Sequence, residues 1–317
     1  MAKREVIVVG GGPSGLAAAI EAGKRGADVL LIDQNSRPGG QLFKQIHKFF
    51  GSSEHRAGVR GLDIGKTLLQ EASEYGVEIW LNATVLGLFK EKKVSIERKL
   101  EDGTKKLEVL EAENIVLATG ASENAVNFKG WTLPGVMSAG AAQTMVNVYQ
   151  VLPGRKVLMI GSGNVGLIVS YQLLQAGADV VALVEAAPGV GGYGVHAGKI
   201  SRAGVPIYTS HTVIEARGNE RVEEAVICQV DSNWQPIPGS EKVFEVDTIA
   251  IAAGLKALTR LATMYGCELK YVPELGGWLP AHDENMQSSC EGVYVTGDVA
   301  GVEEASTALE EGKLAGV

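Results

Sequence analysis

Short apolar runs, each leading into a glycine turn, set the pattern of this chain. Residues 6–9, Val-Ile-Val-Val, are apolar at every position and end at Gly10-Gly11-Gly12. A strand needs that pattern only when both its faces are covered, as in a parallel sheet between two layers. A helical stretch follows from Pro13, then a second apolar run over residues 29–32 that ends at Asp33. Residues 157–185 repeat this order: apolar run, Gly161-Ser162-Gly163, helical stretch, Gly-Ala-Asp, apolar run, Glu185. The two copies are a domain's length apart, which points to two related domains and not to a solenoid. Two further runs, in residues 114–121 and 292–301, end at Ala118-Thr119-Gly120 and Gly297-Asp298. Residues 77–113 alternate polar and apolar positions around Asp102-Gly103, which predicts a small antiparallel excursion. Its basic-leaning part, residues 90–106, reads as a solvated hairpin.

The predicted fold class is α/β, with two Rossmann-like, three-layer dinucleotide-binding domains, the second inserted in the first. The first spans residues 1–122 plus 255–317, and the second residues 123–254. In a Gly-x-Gly-x-x-Gly turn the first glycine allows the tight bend, the second lets a pyrophosphate approach the backbone, and the third lets helix pack on strand. Gly10, Gly12 and Gly15 take these parts in the first copy, and Gly161, Gly163 and Gly166 in the second. Pro13, Ser14 and Asn164 open the two helices, whose N–H groups and positive dipole ends face the phosphates. Proline at the first helical position loses no hydrogen bond. Asp33 and Glu185 end the second strands, where a carboxylate can accept from ribose hydroxyls. Asp298 suits hydroxyls of a ribityl chain, its alternative being a helix N-cap.

Composition narrows this picture. The 41 glycines sit mainly at strand–helix junctions, so they mark close backbone approach and not disorder. A net charge of −8 with no Lys/Arg block argues against a nucleic-acid surface. The N-terminal apolar run is too short for a signal peptide or a membrane span, so a soluble, cytoplasmic chain is expected. Cys228, Cys267 and Cys290 are widely spaced in sequence, without CxxC or metal-ligand spacing; they read as three small buried or partly buried side chains, with no structural disulfide and no metal site expected, although distant cysteines can meet in a fold.

With both glycine turns, Ala118-Thr119-Gly120 and Gly297-Asp298 in place, the chain resembles the pyridine nucleotide-dependent FAD oxidoreductases with the fold of glutathione and thioredoxin reductases. The resemblance covers essentially the whole chain. It implies FAD at Gly10, Gly12, Pro13, Ser14, Gly15, Asp33, Thr119, Gly120, Gly297 and Asp298. It implies a nicotinamide nucleotide at Gly161, Gly163, Asn164, Gly166 and Glu185. A carboxylate at Glu185, followed by Ala186-Ala187-Pro188 with no base to neutralise a 2′-phosphate, favours NAD over NADP.

Disulfide reductases of this type carry two cysteines beside the flavin. Residues 34–52 contain none, and Cys228 stands alone in the second domain, so a dithiol relay is not expected. Residues 38–51 (PGGQLFKQIHKFFG) and 130–143 (GWTLPGVMSAGAAQ) are instead similar to FAD/NAD subunits of multi-subunit amine and amino-acid dehydrogenases. That group includes the alpha subunits of sarcosine oxidase and proline dehydrogenase, the A component of opine oxidase and the B component of hydrogen cyanide synthase. Similar chains accompany glycerol-3-phosphate dehydrogenases. The resemblance implies an iron–sulfur protein and a partner flavoprotein subunit. It also implies a chain continuing beyond the helix after Asp298, where this one stops at Val317. The alternative is an electron-transfer or dinucleotide-binding subunit without turnover of its own. Gly40, Gln41 and Lys44 are placed beside the flavin, or in an ordinary surface loop. His47 is a candidate proton donor near the flavin, or a solvated or packed side chain. Trp131 and Pro134 are assigned to the crossover between domains. Tyr193 and His196 either flank the nicotinamide nucleotide or belong to a flexible connection.

Overall fold

The computed structural model describes residues 3–49 and 52–317. The chain divides into two compact units, Met1–Ser122 with Leu255–Val317, and Glu123–Gly254.

The first unit is built on a parallel sheet. Its order is Glu78–Trp80, Val29–Ile32, Lys3–Val9, the second half of Lys105–Leu117, then Val293–Val295. Successive side chains of a strand point to opposite faces, and here each face has its own core. Val8, Val29 and Leu31 pack with Leu16, Ile20, Ile64, Leu68 and Leu309 of the helices Pro13–Lys24, Gly61–Glu74 and Ala305–Ala315. Ile7, Val9, Leu30 and Ile32 pack with Leu88, Val94, Ile96 and Leu110 of an antiparallel meander. The unit is therefore three layers deep, and the fully apolar strand runs follow from having no solvent face.

The excursion differs from expectation at both ends. Glu78–Trp80 is a parallel strand of the main sheet, and the meander begins at Ala83–Phe89. Lys105–Leu117 is one strand with two partners: antiparallel to Lys93–Lys99 up to Glu111, then parallel to Lys3–Val9 from Glu111 onward. Nor is the hairpin of residues 90–106 solvated throughout, because Val94 and Ile96 are fully buried.

Helix Ala305–Ala315 crosses helix Pro13–Lys24 at van der Waals contact. A Cβ on Gly312 would sit 2.2 Å from the Ser14 carbonyl oxygen, and one following the helix at Gly316 would sit 2.3 Å from that of Ala18. An alanine normally favours a helix over glycine by about 1 kcal/mol; at Gly312 the clash reverses that sign.

The second unit repeats the layering. Its parallel sheet runs Ile207–Tyr208, Asp179–Val184, Lys156–Ile160, Thr248–Ile251, Val136–Ser138. Val157, Met159 and Leu183 face helices Asn164–Gln175 and Gly194–Arg202 through Leu167, Leu173 and Ile200. Leu158, Ile160 and Val184 face an antiparallel sheet, His211–Arg217, Glu224–Gln229 and Lys242–Glu245, through Val213, Ala225 and Ile227. The second copy is one residue longer between its glycine turn and its terminal acid. A β-bulge between Val180 and Ala182 takes up the extra residue and restores the alternation that one inserted residue would invert.

Candidate functional site

The two glycine turns share a geometry residue by residue. Gly10 has φ +107°, and a Cβ there would lie 2.2 Å from the Ala118 carbonyl oxygen; Gly161 has φ +98° and the same 2.2 Å to the carbonyl oxygen of Ala252. A Cβ on Gly15 would reach 1.9 Å from the Gly10 oxygen, and on Gly166 2.1 Å from the Gly161 oxygen. These four positions are closed by the protein itself. Gly12 and Gly163 are different: a Cβ on either meets nothing within 4 Å. Each is the N-cap of its helix, with no side chain bonded to the helix end. Each turn therefore presents uncapped first-turn amides and a positive dipole end beside open space. Pro13 and Asn164 open these helices as expected.

The terminal acids hold the turns closed. Asp33 is buried; its Oδ2 accepts the Gly11 N–H at 2.7 Å, and its Oδ1 accepts the backbone and side-chain N–H of Asn35 at 2.7 and 2.8 Å. Glu185 Oε2 accepts the N–H and hydroxyl of Ser162 at 2.8 and 2.7 Å, and its Oε1 accepts the Ala187 N–H at 2.8 Å. Each acid therefore fixes the middle residue of its turn, in addition to any bond it makes outward.

A glycine pair after each acid docks back over the turn. Gly39 N–H donates to the Gly11 carbonyl at 2.6 Å, and Gly192 N–H donates to that of Ser162 at 2.9 Å. Gly40, at φ +54°, comes so close that a Cβ would sit 2.8 Å from Gly12 Cα. Leu42, fully buried, anchors this segment while Gln41 stays exposed beside it. In the second unit the docking is reinforced by Gly191 N–H to Ser162 Oγ at 3.1 Å and Tyr193 N–H to Asn164 Oδ1 at 2.9 Å. Residues 191–193 are thus seated on the turn by three hydrogen bonds. His196 is buried in the helix that follows, and that burial, with Lys199 nearby, lowers its pKa.

Thr119 and Gly120 are tied to the returning chain: Thr119 Oγ1 donates to the Leu258 carbonyl at 2.9 Å, and Leu258 N–H donates to that of Gly120 at 2.9 Å. Gly297, at φ +70°, lies against Ser14, and its N–H donates to Glu311 Oε2 at 2.8 Å. Ser14 Oγ is 3.4 Å from the Thr296 carbonyl. The first helix, the Gly297-Asp298 turn and the last helix therefore meet. Asp298 occupies a 3-10 turn, Gly297–Val299, and the helix after it begins only at Ala305 with Glu304 at its N-cap, so Asp298 does not cap it. Burial pushes the Asp298 carboxyl up to about 6. Glu311 is pushed up to about 7, first by burial and further by Glu303 and Asp298, against the lowering effect of the Gly297 N–H.

His47 stacks on Phe49 with ring centroids 5.8 Å apart. Trp131 is 43% exposed, and the Pro134 carbonyl accepts the Val222 N–H at 2.9 Å within its own unit. The cysteines are buried or partly buried: Cys228 is fully buried in the second unit, and Cys267 and Cys290, distant in sequence, are neighbours in the first. Sequence reasoning also missed Glu311, Gly39 and Gly192. The two glycine pairs, a few residues after the two acids, were a legible extension of the repeat; Glu311 carried no signal beyond its place in an amphipathic helix. No helix of the described residues is long and apolar enough to cross a membrane.

Comparison with known proteins agrees with this duplicated architecture. The chain is 29% identical to the A component of opine oxidase from Agrobacterium tumefaciens, over 98% of its own length and 64% of that protein's. It is likewise 29% identical to the HcnB component of hydrogen cyanide synthase from Pseudomonas aeruginosa, over 98% of its length and 69% of the relative's. Among solved structures, the L-proline dehydrogenase of P. horikoshii superposes with a TM-score of 0.73 at 25% identity, over 99% of this chain and 54% of that one. The thioredoxin reductase of T. acidophilum superposes at 0.79 and 20% identity over 100% and 97%, a likeness of fold. The chain thus spans under two thirds of the opine oxidase component and about half of the proline dehydrogenase chain. The family model described as pyridine nucleotide-disulphide oxidoreductase matches residues 4–312, and the chain belongs to that oxidoreductase family.

Proposed function

We propose that this chain binds FAD at its first glycine turn and NAD(H) at its second, and passes a hydride between them without a thiol relay beside the flavin. The observation that carries this reading is the pair of open positions, Gly12 and Gly163, each at an uncapped helix end inside a turn otherwise closed by its own backbone. A pyrophosphate fits such a cradle, because the free amides and dipole complement its charge and no side chain occupies its space.

In this reading Gly10, Gly12, Pro13, Ser14, Gly15 and Asp33 hold the FAD adenosine and pyrophosphate. Gly40, Gln41, Thr119, Gly120, Gly297 and Asp298 border the ribityl chain and the ring. Gly161, Gly163, Asn164, Gly166 and Glu185 hold NAD. When bound, the two nucleotides supply the hydride chemistry themselves. The chain's own residues bind, orient and tune. Gly39 and Gly40 close over the first turn, Asp298 offers a carboxyl to hydroxyls, and Glu311 fixes the Gly297 N–H that leads into Asp298. Glu185, a carboxylate with no adjacent base, disfavours a 2′-phosphate.

The relatives are named as subunits, one of opine oxidase and one of hydrogen cyanide synthase. That favours a role within a larger amine- or amino-acid-oxidising or glycerol-3-phosphate dehydrogenase complex, with an iron–sulfur protein and a partner flavoprotein subunit. In a second reading on the same observation, the chain is an electron-transfer or dinucleotide-binding subunit with no turnover alone. The nucleotide assignment is tested by releasing bound cofactor with acid and titrating the refilled protein with NAD+ and NADP+. FAD in the supernatant and preferential NAD+ binding are expected. A protein that binds no flavin would remove the reading, and affinity for a partner subunit, measured by co-purification, separates its two forms.

A further inference from the structure

We propose that Cys267 and Cys290 form a thiol-oxidation site, a pair that closes to a disulfide when a low-molecular-weight disulfide reaches Cys290. The two residues are distant in sequence, but the fold sets them side by side. Helix Arg260–Tyr265 stops at Gly266, at φ +98°, and the next residue, Cys267, returns its N–H to the Ala262 carbonyl at 3.0 Å. Cys290 opens the turn before strand Val293–Val295, where the Val293 N–H donates to its carbonyl at 3.1 Å. Ser288 bridges them: its Oγ is 3.5 Å from Cys267 Sγ and accepts the Cys290 N–H at 3.1 Å.

The flanking backbone clamps this arrangement. Glu268 N–H donates to Ser289 Oγ at 2.8 Å, Ala281 N–H to the Glu268 carbonyl at 2.8 Å, and Ser289 N–H to the Ala281 carbonyl at 3.2 Å. Residue 281 thereby joins the segments that carry the two thiols. Cys290 is partly exposed and Cys267 is buried. Burial, with the neighbouring Cys290 thiol, pushes Cys267 up to about 11. A buried, protonated thiol does not attack first, so the exposed one does.

The chemistry balances. The Cys290 thiolate attacks one sulfur of the small disulfide, forming a mixed disulfide and expelling the first small thiol. The Cys267 sulfur then attacks Sγ of Cys290 and expels the second. The two protein thiols lose two electrons to the small disulfide, and their protons end on the two released thiols.

Cys290 precedes strand Val293–Val295, and Gly297-Asp298 follows it. The strand runs parallel to Lys105–Leu117, so Cys290 lies before the strand end opposite the one that leads into Gly297-Asp298.

The test is oxidation of the native protein with glutathione disulfide, followed by alkylation and peptide mapping without reductant. The expected product joins the Cys267 and Cys290 peptides, lighter by about 2 Da for the two hydrogens lost, and separates again with dithiothreitol. In Cys267→Ala, Cys290 should stop at the glutathione adduct; in Cys290→Ser, Cys267 should stay a free thiol. A wild-type protein that accumulates the Cys290 adduct, or whose two thiols both remain alkylatable, would overturn the proposal.

Discussion

Asp33 Oδ2 accepts the backbone N–H of Gly11 at 2.7 Å, and Glu185 Oε2 accepts that of Ser162 at 2.8 Å in the second unit. Each acid thus holds the shape of the cradle that it borders. Asp33→Ala should leave three N–H donors around a buried site without their acceptor, and cost about 1–3 kcal/mol of stability even in flavin-free protein. Thermal or urea unfolding of the flavin-free variant measures this. An unchanged midpoint would mean that Asp33 serves only the ligand.

The glycines of the first turn divide by what surrounds them. Gly12→Val should give a folded protein that retains no FAD, because its side chain enters space that only a ligand would fill. Gly15→Val should fail at folding, because its Cβ would sit 1.9 Å from the Gly10 oxygen. Circular dichroism separates the two outcomes, and flavin content reads the first. A Gly12→Val protein with full flavin would put the FAD site elsewhere.

Glu185→Gln removes the charge that opposes a 2′-phosphate. The preference for NADH over NADPH should shrink by about one to two decades, the scale of one charge-assisted hydrogen bond lost and one repulsion relieved. Dissociation constants for both nucleotides report it. A preference that stays constant would take Glu185 out of ribose recognition.

Asp298 and Glu311 are carboxyls whose folded pKa is raised, to about 6 and about 7. Their contribution to stability is complete below the ordinary carboxyl range and is lost as pH rises through those folded values. Flavin-free protein should therefore weaken between about pH 4 and pH 7, and Glu311→Gln, which keeps an oxygen for the Gly297 N–H, should reduce the total loss across that window by about 1 kcal/mol. Melting temperature against pH for the two proteins is the measurement. Parallel curves would show that Glu311 ionises without cost.

Local pattern made most of this fold legible in the sequence. Apolar runs with no polar alternation are what a strand covered on both faces requires, and the Gly10 and Gly161 turns are dictated by contacts with their own neighbours. The excursion was harder to bound. Glu78–Trp80 and Lys105–Leu117 serve the main sheet although they adjoin or include the meander, and composition alone does not say where Glu111 changes partner. Long-range meetings left no trace either. Nothing near Cys267 announces Cys290, and the crossing of Gly312 on Ser14 needs both helices in place.

The most direct test of the central claim is anaerobic addition of NADH to FAD-loaded protein, in the wild type and in a variant with Cys228, Cys267 and Cys290 all replaced by serine. Flavin absorbance should bleach with about one equivalent of NADH in both, and Gly163→Val should keep its flavin yet fail to bleach. A wild-type flavin that stays oxidised under NADH would contradict the account. So would a folded, flavin-loaded, cysteine-free variant reduced a hundredfold more slowly than the wild type.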